Sequence, residues 1–132
     1  GRYQFWFFSY DSGNPIAYSA MLLRRALRAA VERFDPDGRD ACLRQMVVIG
    51  HSQGGLLTKM TAIHSGNRLW DTVSRVPLDR LTLSKKSRKL IRQSMFIEPL
   101  PFVTRVIFVA TPHLLFQIFD VPQRVVLSLF KS

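Results

Sequence analysis

Ser52 stands between glycines at the junction of an apolar run and a helix-forming segment. Residues 46–49, MVVI, lead straight into the hexapeptide GHSQGG at residues 50–55, and LLTKM follows. A serine hydroxyl attacks an acyl carbon efficiently only when it is exposed, held rigidly and aimed, and a sharp turn from a strand into a helix meets these conditions. The spacing therefore predicts that Ser52 is a nucleophile for acyl transfer.

The residues around Ser52 have roles that follow from this turn. Gly50 and Gly54 lie two positions either side of the serine, where we expect a Cβ to collide as strand and helix pack closely. Gly55 continues the turn, and the His51 side chain is expected to point away from the serine. The backbone N–H of Gln53 is the expected donor to the oxyanion that forms during acyl transfer.

Two stretches resemble the α/β-hydrolase superfamily, and most closely its lipase-like and esterase-like serine hydrolases. One is VVIGHSQGG at residues 47–55, and the other is RVIFVATPH at residues 105–113, which is similar to the strand after the nucleophile helix in that group. Residues 3–27 also resemble the strand and helix that precede the turn of the nucleophile in that group. That group usually continues with Arg-Gly-Ser where this chain has LLF, so residues 114–132 are interpreted as a divergent tail.

The resemblance implies an α/β fold: a three-layer α-β-α arrangement with a mostly parallel sheet and a helical insertion after the nucleophile helix. The chain of 132 residues is short for this superfamily. We therefore expect residues 1–132 to form a single partial α/β-hydrolase domain, with further sequence upstream of Gly1 that supplies the second oxyanion donor. No metal or organic cofactor is expected, since the nucleophile is a side chain and no cluster of ligand residues occurs.

The base and the acid are the missing parts of the predicted site. In the superfamily the order along the chain is serine, acid, histidine, whereas the histidines here are His51, His64 and His113. His64 lies roughly 18 Å from Ser52 along a helix. His113 ends the next strand at the same sheet edge as Ser52, but it matches the Thr-Pro-His feature rather than the catalytic histidine. Asp120 has no histidine after it, so the chain alone is expected to be inactive.

The pattern of apolar residues predicts the elements that position the site. Residues 3–10 are aromatic and nearly uncharged, which favours a strand covered on both faces of a parallel sheet. Asn14 is placed to cap a helix and Pro15 to occupy its first position. An amphipathic helix over 16–34 should place its apolar face inward and its charged residues, Arg24 among them, elsewhere. The inward residues are Ala20, Leu23, Leu27, Ala30 and Phe34.

The remaining elements follow in alternation. A turn at residues 35–38 precedes the nucleophile strand, with Cys42 expected as a small buried residue. The helix after Ser52 should run to about Ser65, where Gly66 and Asn67 stop it. Residues 105–109 should form the next strand, and residues 125–130 form either a strand or a short helix. Parallel strands joined by helices are the expected result.

Residues 67–100 are interpreted as small helices over the carboxyl edge of the sheet, in the manner of a cap or lid. Ser84 is placed to cap a helix that starts at Lys85, with Leu90 and Ile91 facing inward.

The net charge of +10 raises the question of whether the chain binds an anionic partner such as nucleic acid or a membrane surface. The cations are scattered through every element, and no zinc-ligand spacing or recognition-helix signature accompanies them, so no nucleic acid is expected. We expect most of the cations to lie on helix faces that are exposed to solvent. An anionic membrane surface is the open alternative, because Trp70 and Phe96 flank the basic segment 85–92. No run of about 18 apolar residues occurs, which favours a cytoplasmic or membrane-peripheral protein.

These observations together predict a serine hydrolase that acts on carboxylic esters, with an ester or lipid substrate and an acyl-enzyme at Ser52. One alternative is a non-catalytic, hydrolase-like scaffold that binds a partner or an anionic lipid surface. Another is a basic nucleic-acid or surface binder in which the serine motif is incidental.

Overall fold

The computed structural model describes residues 3–111 and the backbone of residues 126–129. The helices are α1 (Ile16–Phe34), α2 (Gly54–Lys59), α3 (Arg68–Asp71) and α4 (Lys85–Met95), with a 3-10 turn at Leu78–Arg80, and the strands are β1 (Met46–His51), β2 (Val103–Val109) and β3 (Val126–Leu129). The predicted mixed α/β class is confirmed. None of the helices in this described part is long and apolar enough to cross a bilayer.

The strands form one parallel sheet in the order β1-β2-β3. His51 of β1 is level with Val109 of β2, so the two strands end side by side at the same carboxyl edge. Residues 126–129 prove to be a strand, which settles the alternative left open by their sequence. Because β3 pairs with β2, the outer side of β1 has no partner strand among the described residues.

The helices cover one face of this sheet. Val31 of α1 packs with Val106 and Phe108 of β2, and α2 lies against both α1 and the first two strands. On the opposite face, Val47 and Ile49 are 44% and 57% exposed. The described residues therefore form two layers, and the third layer of the expected α-β-α arrangement is not among them.

Residues 3–10 form no strand, which corrects the prediction of a strand buried on both faces. Phe5 and Phe7 are 74% and 94% exposed. Other aromatic rings of the segment pack on helix α1 or on each other: the ring centroids of Trp6 and Phe34 are 5.7 Å apart, and the ring of Phe8 stacks on that of Tyr10. A parallel strand needs a neighbour with which to exchange backbone hydrogen bonds, and this segment does not take the free side of β1.

Helix α1 has the predicted bounds, and Ala20 and Leu23 are buried as expected. Two of its residues do not follow the prediction. Phe34 is 60% exposed, because it packs against Trp6 outside the core, and Arg24 is only 7% exposed. The N-cap residue is Pro15, which precedes the first helical residue Ile16, and no side chain caps the helix; the capping role expected of Asn14 and the first helical position expected of Pro15 were therefore both wrong.

The turn after α1 is organised by the buried carboxylate of Asp35. It accepts hydrogen bonds from the backbone N–H groups of Arg39 (2.6 Å) and Asp40 (3.0 Å) and from Arg44 Nε (3.2 Å). These bonds, first among them the one from Asp40, lower the pKa of the Asp35 carboxyl in spite of its burial. Cys42, which was expected to be buried, is exposed.

Helix α2 ends at Lys59, well before Ser65 where the sequence predicted its end. The chain beyond it bonds instead to the segment that leads into β2. The N–H of Leu100 donates to the carbonyl of Thr61, and the N–H of Ser65 donates to the carbonyl of Ile97, both at 2.9 Å. Competing partners from a distant segment thus end the helix early.

The segment between α2 and β2 contains the small helices that were predicted. Ser84 caps α4 as expected, its Oγ accepting from the N–H of Ser87 at 3.0 Å. Leu90 is 42% exposed rather than inward, whereas Ile91 is half-buried. Helix α4 packs against α1. The role of residues 67–100 as a cap or lid stays a prediction.

Candidate nucleophile site

Ser52 lies on a sharp turn between β1 and α2, as the sequence predicted, and its side chain is exposed. Its φ is 51°, in the left-handed region. Its N–H donates to the carbonyl of Val109 at 2.9 Å, and its carbonyl accepts from the N–H of Gly55 at 3.0 Å. A non-glycine residue in this conformation costs roughly 1–2 kcal/mol, so the surrounding backbone bonds must hold the serine there.

Ala110 shares this unusual conformation at the end of the neighbouring strand. Its φ is 48°, and it directly follows Val109, which is level with His51. Among the described residues, Ser52 and Ala110 are the non-glycine residues with positive φ. Such strain persists only where the surroundings enforce it, and it concentrates at functional sites. The carboxyl edge of β1 and β2 is therefore the strained part of this fold.

The glycines of the motif differ in how closely they are packed. A Cβ at Gly50 would overlap Thr58 Oγ1 and lie 2.5 Å from the carbonyl oxygen of Gly54. A Cβ at Gly55 would overlap the side chain of Thr111. At Gly54, in contrast, the nearest atom to a Cβ would be Tyr10 Oη at 3.8 Å. The expected collision is thus present at Gly50 and absent at Gly54, and Gly55 is the second position that requires glycine.

The Gln53 N–H is available as an oxyanion donor. It makes no backbone hydrogen bond within the described residues, whereas the N–H of Ser52 is used by the bond to Val109. The carbonyl of Gln53 accepts from the N–H of Leu56 at 3.0 Å, which fixes the peptide units that follow the serine. A rigid N–H beside the nucleophile is the arrangement that stabilises a tetrahedral oxyanion.

Two residues near the turn were not recognised as site residues from the sequence. The hydroxyl of Tyr10 lies beside Gly54, and the half-buried Tyr10 ring packs against the α1–α2 cluster. Thr111 is 4% exposed, and its Oγ1 has no hydrogen-bond partner among the described residues. Tyr10 ends the predicted strand 3–10 and Thr111 follows the predicted strand 105–109, and this position at the carboxyl ends was the available signal.

The described histidines do not complete a catalytic set. His51 is exposed, and the Ser52 hydroxyl makes no hydrogen bond with a described residue. His64 lies beyond the end of α2, and its Nδ1 is 2.8 Å from Glu98 Oε1. His113 and Asp120 lie outside the described residues. Within residues 3–111 no three His, Cys, Asp or Glu side chains are grouped to hold a metal ion.

Comparison of the chain with protein-family models, with curated proteins and with solved structures finds no match. The interpretation of the site therefore depends on its own geometry: a strained, exposed serine, a close-packed glycine two residues before it, and a free N–H directly after it.

Proposed function

We propose that Ser52 is the nucleophile of a serine hydrolase that acts on carboxylic esters, with the partial fold of a lipase-like or esterase-like α/β-hydrolase. The observation that carries this proposal is the conformation of Ser52 itself. An exposed serine with φ 51° ends a parallel strand, and Gly50 lets helix α2 approach that strand closely. A strand, strained turn and helix around G-x-S-x-G is the structural context that this motif requires.

In the proposed reaction Ser52 Oγ attacks the acyl carbon of the ester while a base takes the hydroxyl proton. The carbonyl oxygen becomes an oxyanion, to which the Gln53 N–H donates. The alcohol then leaves with that proton, and an acyl-enzyme remains on Ser52. Water, deprotonated by the same base, then attacks this acyl group; the bond to Oγ breaks, the acid is released, and the base gives its proton to Oγ.

The base and its orienting acid belong outside residues 3–111 in this proposal, because the described histidines make no contact with the serine hydroxyl. His113 is the candidate within the chain, since it lies beyond β2, whose carboxyl end is beside Ser52. A nucleophile that lacks its base loses most of its catalytic advantage. Residues 3–111 alone are therefore a scaffold for the serine without the groups that activate it.

The test is covalent labelling by a fluorophosphonate probe combined with hydrolysis of a p-nitrophenyl ester. Both are measured on the 132-residue chain and on the protein with its natural flanking sequence. We expect rapid labelling and turnover in the protein with its flanking sequence, and loss of both in Ser52→Ala. The control is Ser12→Ala, which replaces an exposed serine in the loop before α1.

Three outcomes are informative. Rapid labelling of the 132-residue chain, abolished by His113→Ala, would assign the base to His113. Labelling that persists in Ser52→Ala would refute the proposal. A folded protein with its natural flanking sequence that neither labels nor turns over ester would refute it as well, and would favour the non-catalytic scaffold.

A further inference from the structure

A cleft between α1 and α4 concentrates positive charge. Its volume is 380 Å³, and five cationic side chains and one carboxylate line it: Arg24, Arg25, Arg28, Lys89, Arg92 and Glu98. The first three are on α1, and Lys89 and Arg92 face them from α4. Like charges at i and i+4 of one helix, such as Arg24 and Arg28, destabilise that helix. This cluster of like charges therefore destabilises the folded state unless an opposite charge compensates it.

Arg24 is the buried member of this cluster. Its side chain donates from Nη2 to the carbonyl of Glu98 at 2.7 Å, but its Nε has no hydrogen-bond partner among the described residues. Arg24 is only 7% exposed. Burial, and then the charge of Arg28, lowers the pKa of the Arg24 guanidinium, which the charge of Glu98 only partly offsets. A buried donor without an acceptor is uncommon in folded proteins and calls for an explanation.

Carboxylates of the described part neutralise the cluster only in part. Asp79 pairs with Arg92 at 2.9 Å, and Glu98 is the one carboxylate in the lining, with its Oε1 2.8 Å from His64 Nδ1. The other four cations lining the cleft make no ion pair with a described residue; Arg25 donates only to the neutral amide of Gln93. Arg28 and Lys89 are exposed at the cleft, so an external ligand has access to it.

We propose that this cleft binds the phosphate group of an anionic ligand. A phosphate carries up to two negative charges and several acceptor oxygens, and arginine guanidinium groups match its geometry with paired N–H donors. A bound phosphate would place negative charge beside the buried Arg24 guanidinium and offset the repulsion between α1 and α4. The ligand is either a soluble phosphate compound or the headgroup of a phosphatidic-acid-like lipid, which share this chemistry.

The lining of the cleft includes no residue of the turn at Ser52. Ala20 and Leu23 pack against Leu57 of α2, the helix that follows Ser52, whereas Arg24 and Arg28 face α4. The proposed site is therefore separate from the reacting serine, and it does not depend on the proposed hydrolase activity.

The experiment compares two double variants of the 132-residue chain. Arg28→Gln with Lys89→Gln removes two exposed charges from the cleft. Arg33→Gln with Lys86→Gln removes two exposed charges from the same helices outside it. Binding of inorganic pyrophosphate is measured by calorimetry, and binding of phosphatidylcholine vesicles with and without phosphatidic acid is measured by sedimentation. Thermal unfolding without ligand checks that each variant is folded.

We expect the cleft variant to bind these probes about tenfold or more weakly than wild type, because each charge-assisted hydrogen bond adds to the binding free energy. The control variant should bind them as wild type does. The unliganded melting temperature of the cleft variant should not fall, because one repulsive neighbour of Arg24 is removed. Binding to pyrophosphate identifies a soluble ligand, and binding only to phosphatidic acid identifies a lipid headgroup. Equal weakening in both double variants, or no binding to either probe, would overturn the proposal. Fluorophosphonate labelling of Ser52 is read separately, so failure here leaves the hydrolase proposal unaffected.

Discussion

Replacement of Gly50 by alanine probes the contact that brings α2 against β1 and so shapes the turn at Ser52. The added Cβ would lie 2.5 Å from the carbonyl oxygen of Gly54 and 2.6 Å from Gly55 Cα, and it would overlap Thr58 Oγ1. Two of these three neighbours are backbone atoms, which cannot rotate aside. The strand and the helix must therefore separate if the side chain is to fit.

The expected loss in the free energy of unfolding follows from these distances. Overpacking of a close-packed site costs about 1–3 kcal/mol, and the backbone contacts place Gly50→Ala at the upper end. A loss of about 3 kcal/mol corresponds to a drop of about 10–15 °C in melting temperature for a domain of this size. Guanidinium unfolding followed by circular dichroism measures the free energy of unfolding, and a thermal melt measures the melting temperature.

Gly54→Ala is the matched control, because the same methyl group is added four residues away in the same motif. Its Cβ would meet only Tyr10 Oη, at 3.8 Å, which is an ordinary contact. Alanine in a helix is favoured over glycine by about 0.5–1 kcal/mol, so the control should be unchanged or slightly stabilised. If both variants lost the same stability, or if Gly50→Ala lost none, the packing argument for this turn would be refuted.

Three further predictions concern single residues. Ser52→Gly should raise the free energy of unfolding by about 0.5–1 kcal/mol, because glycine adopts positive φ without the penalty that L residues pay; Ser52→Ala should not, and equal denaturation midpoints for the two would contradict this. Asp35→Asn should be less stable than wild type at neutral pH. Because the folded-state pKa of Asp35 is lowered, that gap should be full above about pH 5 and should close as the pH falls through about 4 and below; a gap independent of pH in urea titrations would count against it. Ser84→Ala should cost about 1 kcal/mol by removing the cap of α4, whereas Ser94→Ala, which removes a hydroxyl within the same helix, should cost less in the same assay.

Elements whose signals are local were predictable from the sequence. The period of apolar residues gave the bounds of α1, and Ser84 marked the start of α4, because helix periodicity and capping depend on residues within a few positions of each other. The strand, turn and helix around Ser52 were predictable for the same reason. The packing at Gly54 and Gly55 was not: whether a Cβ fits at these two positions depends on Tyr10 and Thr111, which come from distant parts of the chain.

Elements that depend on contacts with distant segments of the chain were predicted less well. The aromatic composition of residues 3–10 is typical of a buried strand, but composition does not supply the neighbouring strand that would pair with it. Helix α2 was predicted too long, because the sequence did not show that Thr61 and Ser65 would bond to residues 97–100. Arg24 was assigned to the polar face of α1, and its burial arises from the carbonyl of Glu98, which lies 74 residues further along the chain.

The positive φ of Ser52 also restricts which hydroxyl-bearing amino acid can occupy this position. Threonine has the same hydroxyl group, yet its branched Cβ makes a left-handed backbone a true outlier. A chemically equivalent replacement is thereby excluded by conformation alone, while cysteine, which is unbranched, would fit. The main-chain conformation thus limits which side chains fit at residue 52 independently of their reactivity.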